Sequence, residues 1–285
     1  MTIKIITDSA SDLPQDIIKE YDIDVMPLLV YLNEEEYLDG DTLKSKELFD
    51  GMRDGNVYKT AQISPAVFKE KFTDIAKKNQ SCIYIAFSSG LSGTYQTGEL
   101  MKNEVLKEHP NLDLDIIDTK CASTGFGLVV HKAGKMAKEG ASKKDIINTV
   151  KFYSEHMEHI FTVDDLEYLR RGGRVSRAAA FMGGLLNIKP VLDVEDGKLI
   201  PIEKVRGRKK VLKRMIEIME ERGTDLKNQL IGISHGDDLK GATKLKEMME
   251  ERFGCDKFLI NTIGCAVGAH SGPGTLAIYF LNEKR

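Results

Sequence analysis

The sequence contains no tryptophan, only four cysteines and little excess of either charge, and these absences exclude several classes of protein. The cysteines (Cys82, Cys121, Cys255 and Cys265) show no Cys-x-x-Cys spacing, so we expect reduced thiols rather than a disulfide framework or a zinc site. The net charge of -3 does not favour nonspecific binding of nucleic acid by the whole chain. No apolar run reaches the ~18 residues that a transmembrane helix requires.

What is present indicates a globular α/β protein. The chain has 285 residues, of which 41% are hydrophobic, enough for one large domain or two ordinary ones. Residues 3–7 form a strand-like run, and the N-terminal residues show no signal-peptide pattern. We therefore expect a cytoplasmic protein that makes at most transient contact with a membrane surface.

The order of strand-like and helix-like segments predicts two domains. Strands and helices alternate up to about residue 160, which predicts a mostly parallel sheet covered by helices on both faces. Beyond that point Asp196-Gly197 lies between two apolar runs and predicts a β-hairpin. We therefore predict an N-terminal α/β domain over residues 1–160 and a smaller α+β domain over residues 161–285. More locally, the sequence predicts one strand at 24–32, an acidic turn at 33–40, and polar loops at 58–65 and 262–275.

Residues 88–97 (Ser-Ser-Gly-Leu-Ser-Gly-Thr-Tyr-Gln-Thr) have the pattern of an anion-binding turn. They connect a strand-like run to a helix predicted at 92–105, and the free N–H groups of a first helical turn favour negative charge. The hydroxyl of Ser92 adds a donor without adding charge, which suits a carboxylate or phosphate that must also be released. The stretch is neither a P-loop nor a complete dinucleotide fingerprint, and a simple helix N-cap is the alternative role for Ser92.

Three further residues are candidates because of their setting. Residues 160–215 contain 13 Lys and Arg against 7 Asp and Glu. Within this segment Arg174 and Arg206 each lie beside a glycine at an element boundary, from which an arginine can reach a cleft. His270 lies in a stretch with four glycines and a proline, where backbone can come close to a ligand.

Taken together and in order, five motifs resemble the DegV family of bacterial fatty-acid-binding proteins, the FakB-type subunits of fatty acid kinase. They are TDSASDL at 7–13, SSGLSGTYQ at 88–96, RGGR at 171–174, LNIKP at 186–190 and GAHSGPG at 268–274. The chain departs from the family at residues 60–64, where Thr-Ala-Gln-Ile-Ser stands in place of Thr-Ser-Gln-Pro-Ser. Thr60 is retained, whereas Ala61 and Ile63 differ.

The resemblance implies a buried tunnel between the two domains that holds one long-chain fatty acid. It places the lipid carboxylate near four residues: Thr60, Ser92, Gly93 and His270. It links Arg174 and Arg206 to acyl-phosphate handling or to docking of a separate ATP-dependent fatty acid kinase. It further implies a lipid carrier rather than an enzyme, with fatty acid as its ligand and without a metal or cofactor.

Two other functions stay open at this point. A serine-dependent acyl hydrolase would use Ser92 with His270, but the Gly-x-Ser-x-Gly elbow is incomplete because Thr94 takes its last position. A phosphate- or nucleotide-binding regulator would use the helix N-terminus and the basic segment 160–215. We also expect a helix near 160–190, flanked by paired glycines, to move when lipid binds.

Overall fold

The computed structural model describes residues 3–175 and 187–283. Numbered along the chain, the strands are β1 Lys4–Asp8, β2 Asp24–Met26, β3 Leu29–Leu32, β4 Glu35–Leu38, β5 Tyr58–Ala61, β6 Cys82–Ala86, β7 Leu114–Asp118, β8 Met157–Thr162, β9 Ile188–Glu195, β10 Lys198–Arg206, β11 Ile231–His235, β12 Phe258–Thr262 and β13 Leu276–Leu281. The helices are α1 Gln15–Glu20, α2 Ser45–Arg53, α3 Pro65–Lys77, α4 Thr94–Glu108, α5 Ser123–Lys138, α6 Lys143–His156, α7 Leu166–Gly172, α8 Arg208–Arg222, α9 Leu239–Phe253 and α10 Cys265–Ser271.

The first sheet is parallel, with strand order β2-β1-β6-β7. Helix α4 packs on β7, α5 on β1 and α6 on β6. Strand β6 is buried at every position, as expected for a parallel strand covered on both faces. This sheet confirms the α/β architecture predicted for the N-terminal part of the chain.

The second sheet has six strands in the order β10-β9-β8-β13-β11-β12, antiparallel except for the pair β11 and β12. Helix α8 packs on β8, β9 and β10, and α9 packs on β11 and β12. The predicted hairpin joins β9 to β10. Asp196 and Gly197 have φ values of 46° and 74°, which matches the positive φ that the favoured two-residue hairpin turn needs at both positions.

A third, three-stranded antiparallel sheet, β4-β3-β5, corrects three local predictions. The single strand predicted at 24–32 is wrong, because Pro27 has no N–H for a ladder and the chain leaves the first sheet there. The acidic turn predicted at 33–40 is wrong because only Asn33 (φ 56°) and its neighbour turn before β4 begins. Strand β4 is an edge strand with exposed glutamates, and charge on an edge prevents further pairing.

The polar loop predicted at 58–65 begins with strand β5, so Thr60 lies on a strand opposite Val30. The loop predicted at 262–275 contains helix α10, which packs against α2 and α7. A Cβ on Gly268 would lie 2.8 Å from Leu48 Cδ2, so this glycine allows α10 to approach α2 closely. Both loop predictions are wrong because tertiary packing, rather than local apolar periodicity, determines the structure of these segments.

The boundary predicted at residue 160 falls inside strand β8, which belongs to the second sheet. The division of the chain into two domains stays a prediction. Most of the motif at 186–190 is described, but residues 176–186, which include Gly183-Gly184 and part of the segment near 160–190 expected to move, lie outside the described residues. Within the described ranges, no helix is long and apolar enough to span a bilayer.

Candidate functional site

A cavity of about 360 Å³ lies between the carboxyl edge of the parallel sheet and one face of the second sheet. Phe87 and Ala122 close it from the loops that follow β6 and β7, whereas Phe161 and Ala277 come from β8 and β13. Ligands of open α/β sheets bind outside the carboxyl ends of the strands, and a volume of roughly 300–1,000 Å³ is usual for a small-molecule site. Most of the exposed wall surface is apolar, although ten of the twenty-four lining residues carry polar side chains.

Polar side chains from three separate parts of the chain meet in this cavity. Thr60 Oγ1 on β5 and His270 Nε2 on α10 are 2.6 Å apart, in a hydrogen bond whose donor depends on the imidazole tautomer. Ser92 and Gly93, which precede α4, line the same space. The structure thus brings together the four residues that the sequence resemblance placed at a carboxylate.

The imidazole of His270 is kept neutral by its surroundings. Burial, together with the nearby Arg174 guanidinium, lowers the pKa of His270 from 6.5 to about 4. Space for the ring depends on Gly172 at the end of α7, since a Cβ there would lie 2.0 Å from His270 Nδ1. At neutral pH the ring can therefore donate one hydrogen bond and accept another.

The turn before α4 is held by contacts within the turn and with the loop after β5. Ser92 Oγ lies 2.8 Å from Thr94 Oγ1 and accepts a weaker bond from the Thr94 N–H at 3.3 Å. The helix N-cap is Gly93, which has no side chain to satisfy the first N–H groups, so the predicted helix start at Ser92 lies two residues too early. A Cβ on Gly93 would lie 2.0 Å from Gln62 Oε1, so a larger residue here would displace the end of the Gln62 side chain, which donates to Thr97 Oγ1.

The two candidate arginines differ in position. Arg174 lines the cavity, and its guanidinium donates to the carbonyl oxygens of Leu91 (3.2 Å) and Gly172. Arg206 is exposed at the end of β10, opposite Ile188, and is not among the residues that line the cavity. Of the pair, only Arg174 belongs to the site geometry.

A smaller pocket of about 290 Å³ lies on the outer side of the Thr60–His270 pair. Thr60, Arg174 and His270 line both spaces, so these three residues separate the buried cavity from the outer pocket. Lys59 and Arg171 add two further cations, and no described residue that lines the outer pocket is acidic. No sequence motif points to Lys59, which lies at an exposed position on β5.

Two buried carboxylates that the sequence analysis did not assign to the site hold the N-terminus of α10. Asp39 accepts from the Cys265 N–H at 2.6 Å, and Asp12 accepts from the Gly264 N–H at 2.9 Å. Burial raises the pKa of both carboxyls above their usual range. Asp12 lies in the motif at 7–13, whereas no sequence pattern points to Asp39. Both residues fix the helix that carries His270.

The arrangement does not build a serine hydrolase centre. Ser92 Oγ pairs with Thr94, and His270 Nε2 pairs with Thr60 rather than with Ser92. The charge that acts on His270 is the Arg174 cation, whereas a catalytic histidine needs an orienting carboxylate. Among the residues described, no group of three or more His, Cys, Asp or Glu side chains could hold a metal ion. The site therefore has the chemistry of an anion-binding pocket joined to an apolar cavity.

Comparisons with known proteins find relatives that match almost the whole chain. A DegV domain-containing protein of Clostridium perfringens is 39% identical over 284 residues, which cover 99% of this chain and 98% of the relative. The solved DegV family protein of Thermus thermophilus, described as fatty-acid-binding, has a TM-score of 0.87 at 29% identity, covering 98% of this chain and 99% of that one. The fatty-acid-binding DegV protein of Streptococcus agalactiae gives the same TM-score and identity and covers both chains completely. The family profile described as "Uncharacterised protein, DegV family" matches residues 2–283, and this chain belongs to the DegV family.

Proposed function

We propose that this protein binds one long-chain fatty acid in the 360 Å³ cavity and presents its carboxylate to a separate ATP-dependent fatty acid kinase. The observation that carries the proposal is the joining of an apolar cavity to the polar group formed by Thr60, Ser92, Gly93 and His270. Related DegV proteins of known structure are described as fatty-acid-binding. The cytoplasm, where such a kinase would meet ATP, is the proposed location.

The acyl chain and the carboxylate of a fatty acid contribute to the binding free energy in different ways. Each buried CH₂ group contributes roughly 0.8 kcal/mol, so a long chain supplies most of the binding free energy. A buried carboxylate requires several hydrogen bonds to offset its desolvation. The neutral His270 ring can donate through Nε2–H to Thr60, which leaves the Thr60 hydroxyl free to donate to the carboxylate. The Ser92 hydroxyl and the first N–H groups of α4, which no N-cap side chain satisfies, add further donors without a permanent ion pair.

The outer pocket supports the part of the proposal that concerns the kinase. A carboxylate held at Thr60 and His270 lies at the wall between the cavity and this pocket. Lys59, Arg171 and Arg174 give the pocket a positive charge that suits a phosphoryl group on its way to the carboxylate. The acyl phosphate formed there would stay on the carrier, and Arg206 on the exposed end of β10 is proposed as a docking contact for the kinase.

The first experiment is mass spectrometry of an organic extract from the natively purified protein. About one fatty acid per chain is the result expected of a carrier. An extract without lipid, combined with no uptake of added fatty acid, would refute the proposal and favour the nucleotide-binding alternative. Addition of ATP and a fatty acid kinase to the loaded protein should then produce acyl phosphate, which neither protein should form alone.

The carboxylate contact is tested by Thr60→Val, which keeps the shape of the side chain and removes its hydroxyl. The variant loses one hydrogen bond to a charged group, worth about 1.5–3 kcal/mol, so fatty acid affinity should fall by at least tenfold. Thr60→Ser retains the hydroxyl and serves as the matched control. Equal affinity of Thr60→Val and the wild type, measured by titration with a fluorescent fatty acid, would show that Thr60 does not hold the carboxylate.

A further inference from the structure

A second pocket, here called the tail pocket, adjoins the cavity on the side of the β9–β10 hairpin. It has a volume of about 650 Å³ and lies among β7, α6, β8 and the hairpin. Most of its lining residues are polar or charged, and five apolar side chains lie among them: Ile117, Met157, Val194, Ile200 and Ile202. An acyl chain that reached this pocket would contact these apolar side chains beside the charged ones.

Two residues line both the cavity and the tail pocket: His159 on β8 and Val194 on β9. A side chain that lines two spaces lies between them, so these two form a partition. The His159 ring is anchored at both sides of that partition. On one side, its Nδ1 lies 2.9 Å from the carbonyl oxygen of Met157, a residue that lines the tail pocket. On the other side, its Nε2 accepts a hydrogen bond of 3.2 Å from the N–H of Ala122, a residue that lines the cavity.

The partition lies at the end of the cavity away from the polar group. Thr275, Ala277 and Tyr279 of the β13 region line the cavity at alternate positions, as one face of a strand does. Thr275 marks the polar end, because it donates to the carbonyl oxygen of Ser271, the neighbour of His270. Tyr279 marks the other end, because it pairs with His159 across the sheet and contacts its ring edge-on. Four residues of strand separate the two ends by roughly 13 Å.

We propose that His159 and Val194 act as a ruler that limits the length of the bound acyl chain by closing the cavity from the tail pocket. This inference rests on the proposed function and names the specificity determinant of the same site. The ring is well suited to a fixed wall: burial lowers the pKa of His159 to about 4, so it stays neutral, and its two hydrogen bonds fix its tautomer. Tyr279 is in turn held by Ser234, 2.8 Å from its hydroxyl.

The test compares Val194→Ala and His159→Ala with the wild type in competition for a mixture of saturated fatty acids of graded length, read by mass spectrometry of the extracted lipid. Either change removes part of the partition, so we expect the two pockets to join. Two more buried CH₂ groups should shift the ratio of longer to shorter acids by about tenfold. Val267→Ala is the matched control, because Val267 is also a half-buried valine of the cavity wall but lies on α10, one turn from His270. Its ratio should move far less.

The possible outcomes separate the two proposals. A wild type without lipid refutes the proposed function itself. The ruler is overturned if the wild type retains lipid but a folded Val194→Ala protein keeps the wild-type profile of acyl lengths. It is also overturned if Val267→Ala shifts the ratio of longer to shorter acids as much as Val194→Ala does. His159→Ala leaves the Ala122 N–H without its acceptor and could fail to fold; Val194→Ala breaks no side-chain hydrogen bond and remains decisive in that case.

Discussion

At the scale of single residues, the site depends as much on glycines as on polar side chains. Gly172 and Gly93 lie where a Cβ would come within 2.0 Å of His270 Nδ1 and Gln62 Oε1, respectively. Neither has a positive φ, so the constraint is one of space rather than of backbone conformation. It is stricter at Gly172, which faces the His270 ring, than at Gly93, which faces the end of the flexible Gln62 side chain. The sequence shows these glycines but not what they contact, because both contacts join residues far apart in the chain.

Gly172→Ala should displace the His270 ring and weaken fatty acid binding. The new methyl group cannot coexist with Nδ1 at its present position, so we expect at least a tenfold loss of affinity in a titration with fluorescent fatty acid. Gly173→Ala is the control: nothing lies within 4 Å of its Cβ position, but its φ of 68° disfavours alanine by about 1 kcal/mol. It should lower stability and leave affinity unchanged. The reverse pattern would contradict the role given to Gly172.

Asp8 gives the fold a pH dependence of known sign. Burial raises its pKa to about 7, and it accepts from Tyr84 Oη and the Phe87 N–H. The Asp8 carboxyl of the folded protein stays protonated up to about pH 7, whereas that of the unfolded chain loses its proton near pH 4. The contribution of Asp8 to the unfolding free energy therefore falls as the pH rises from about 4 to about 7. The change is on the order of 4 kcal/mol.

Asp8→Asn cannot ionise, so its unfolding free energy should fall less than that of the wild type between pH 4.5 and 7.5. Urea denaturation at both pH values measures the difference. The comparison of the two proteins cancels the contributions of groups that do not interact with Asp8, whereas the Coulombic couplings of Asp8 to Asp39 and Asp12 remain in it. A constant difference between wild type and variant across this range would show that Asp8 is ionised throughout.

At the scale of secondary structure, the sequence predicted the elements with strong periodic patterns and missed those set by tertiary contact. The parallel sheet, the long helices and the hairpin at Asp196-Gly197 follow from apolar runs and turn chemistry. Strands β4 and β5 and helix α10 do not: β4 is charged and exposed, and α10 contains glycines. Consequently Thr60 and His270 were assigned to loops, although the resemblance identified them as neighbours of one ligand.

Helix α10 should depend on Asp39, because two short turns with glycines have little intrinsic stability. Asp39→Ala leaves the buried Cys265 N–H without an acceptor, at a cost of about 1–3 kcal/mol, and should increase hydrogen exchange at the amides of residues 265–268. Asp39→Asn keeps a carbonyl oxygen for that bond and should exchange more slowly than the alanine variant. Equal protection in both variants would show that another contact holds the helix.

At the scale of the whole molecule, the cavity is built from parts that are distant in sequence. The loops after β6 and β7, strand β5, helix α10 and strands β8 and β13 each supply a share of its wall. Helix α5 also connects the two large sheets, since it packs on β1 as well as on β11 and β13. A ligand in the cavity therefore contacts both sheets at once.

Bound fatty acid should for this reason stabilise the whole fold and not one part of it. Ligand at 100 times its dissociation constant adds about 2.7 kcal/mol to the unfolding free energy, which corresponds to several degrees in the midpoint of thermal unfolding. We expect a single transition, monitored by both circular dichroism and tyrosine fluorescence, that moves upward when delipidated protein is reloaded. The Thr60→Val variant should need more lipid for the same shift, since its affinity is lower while its cavity is intact. Two transitions, of which only one responds to lipid, would show that the ligand is held by one sheet alone.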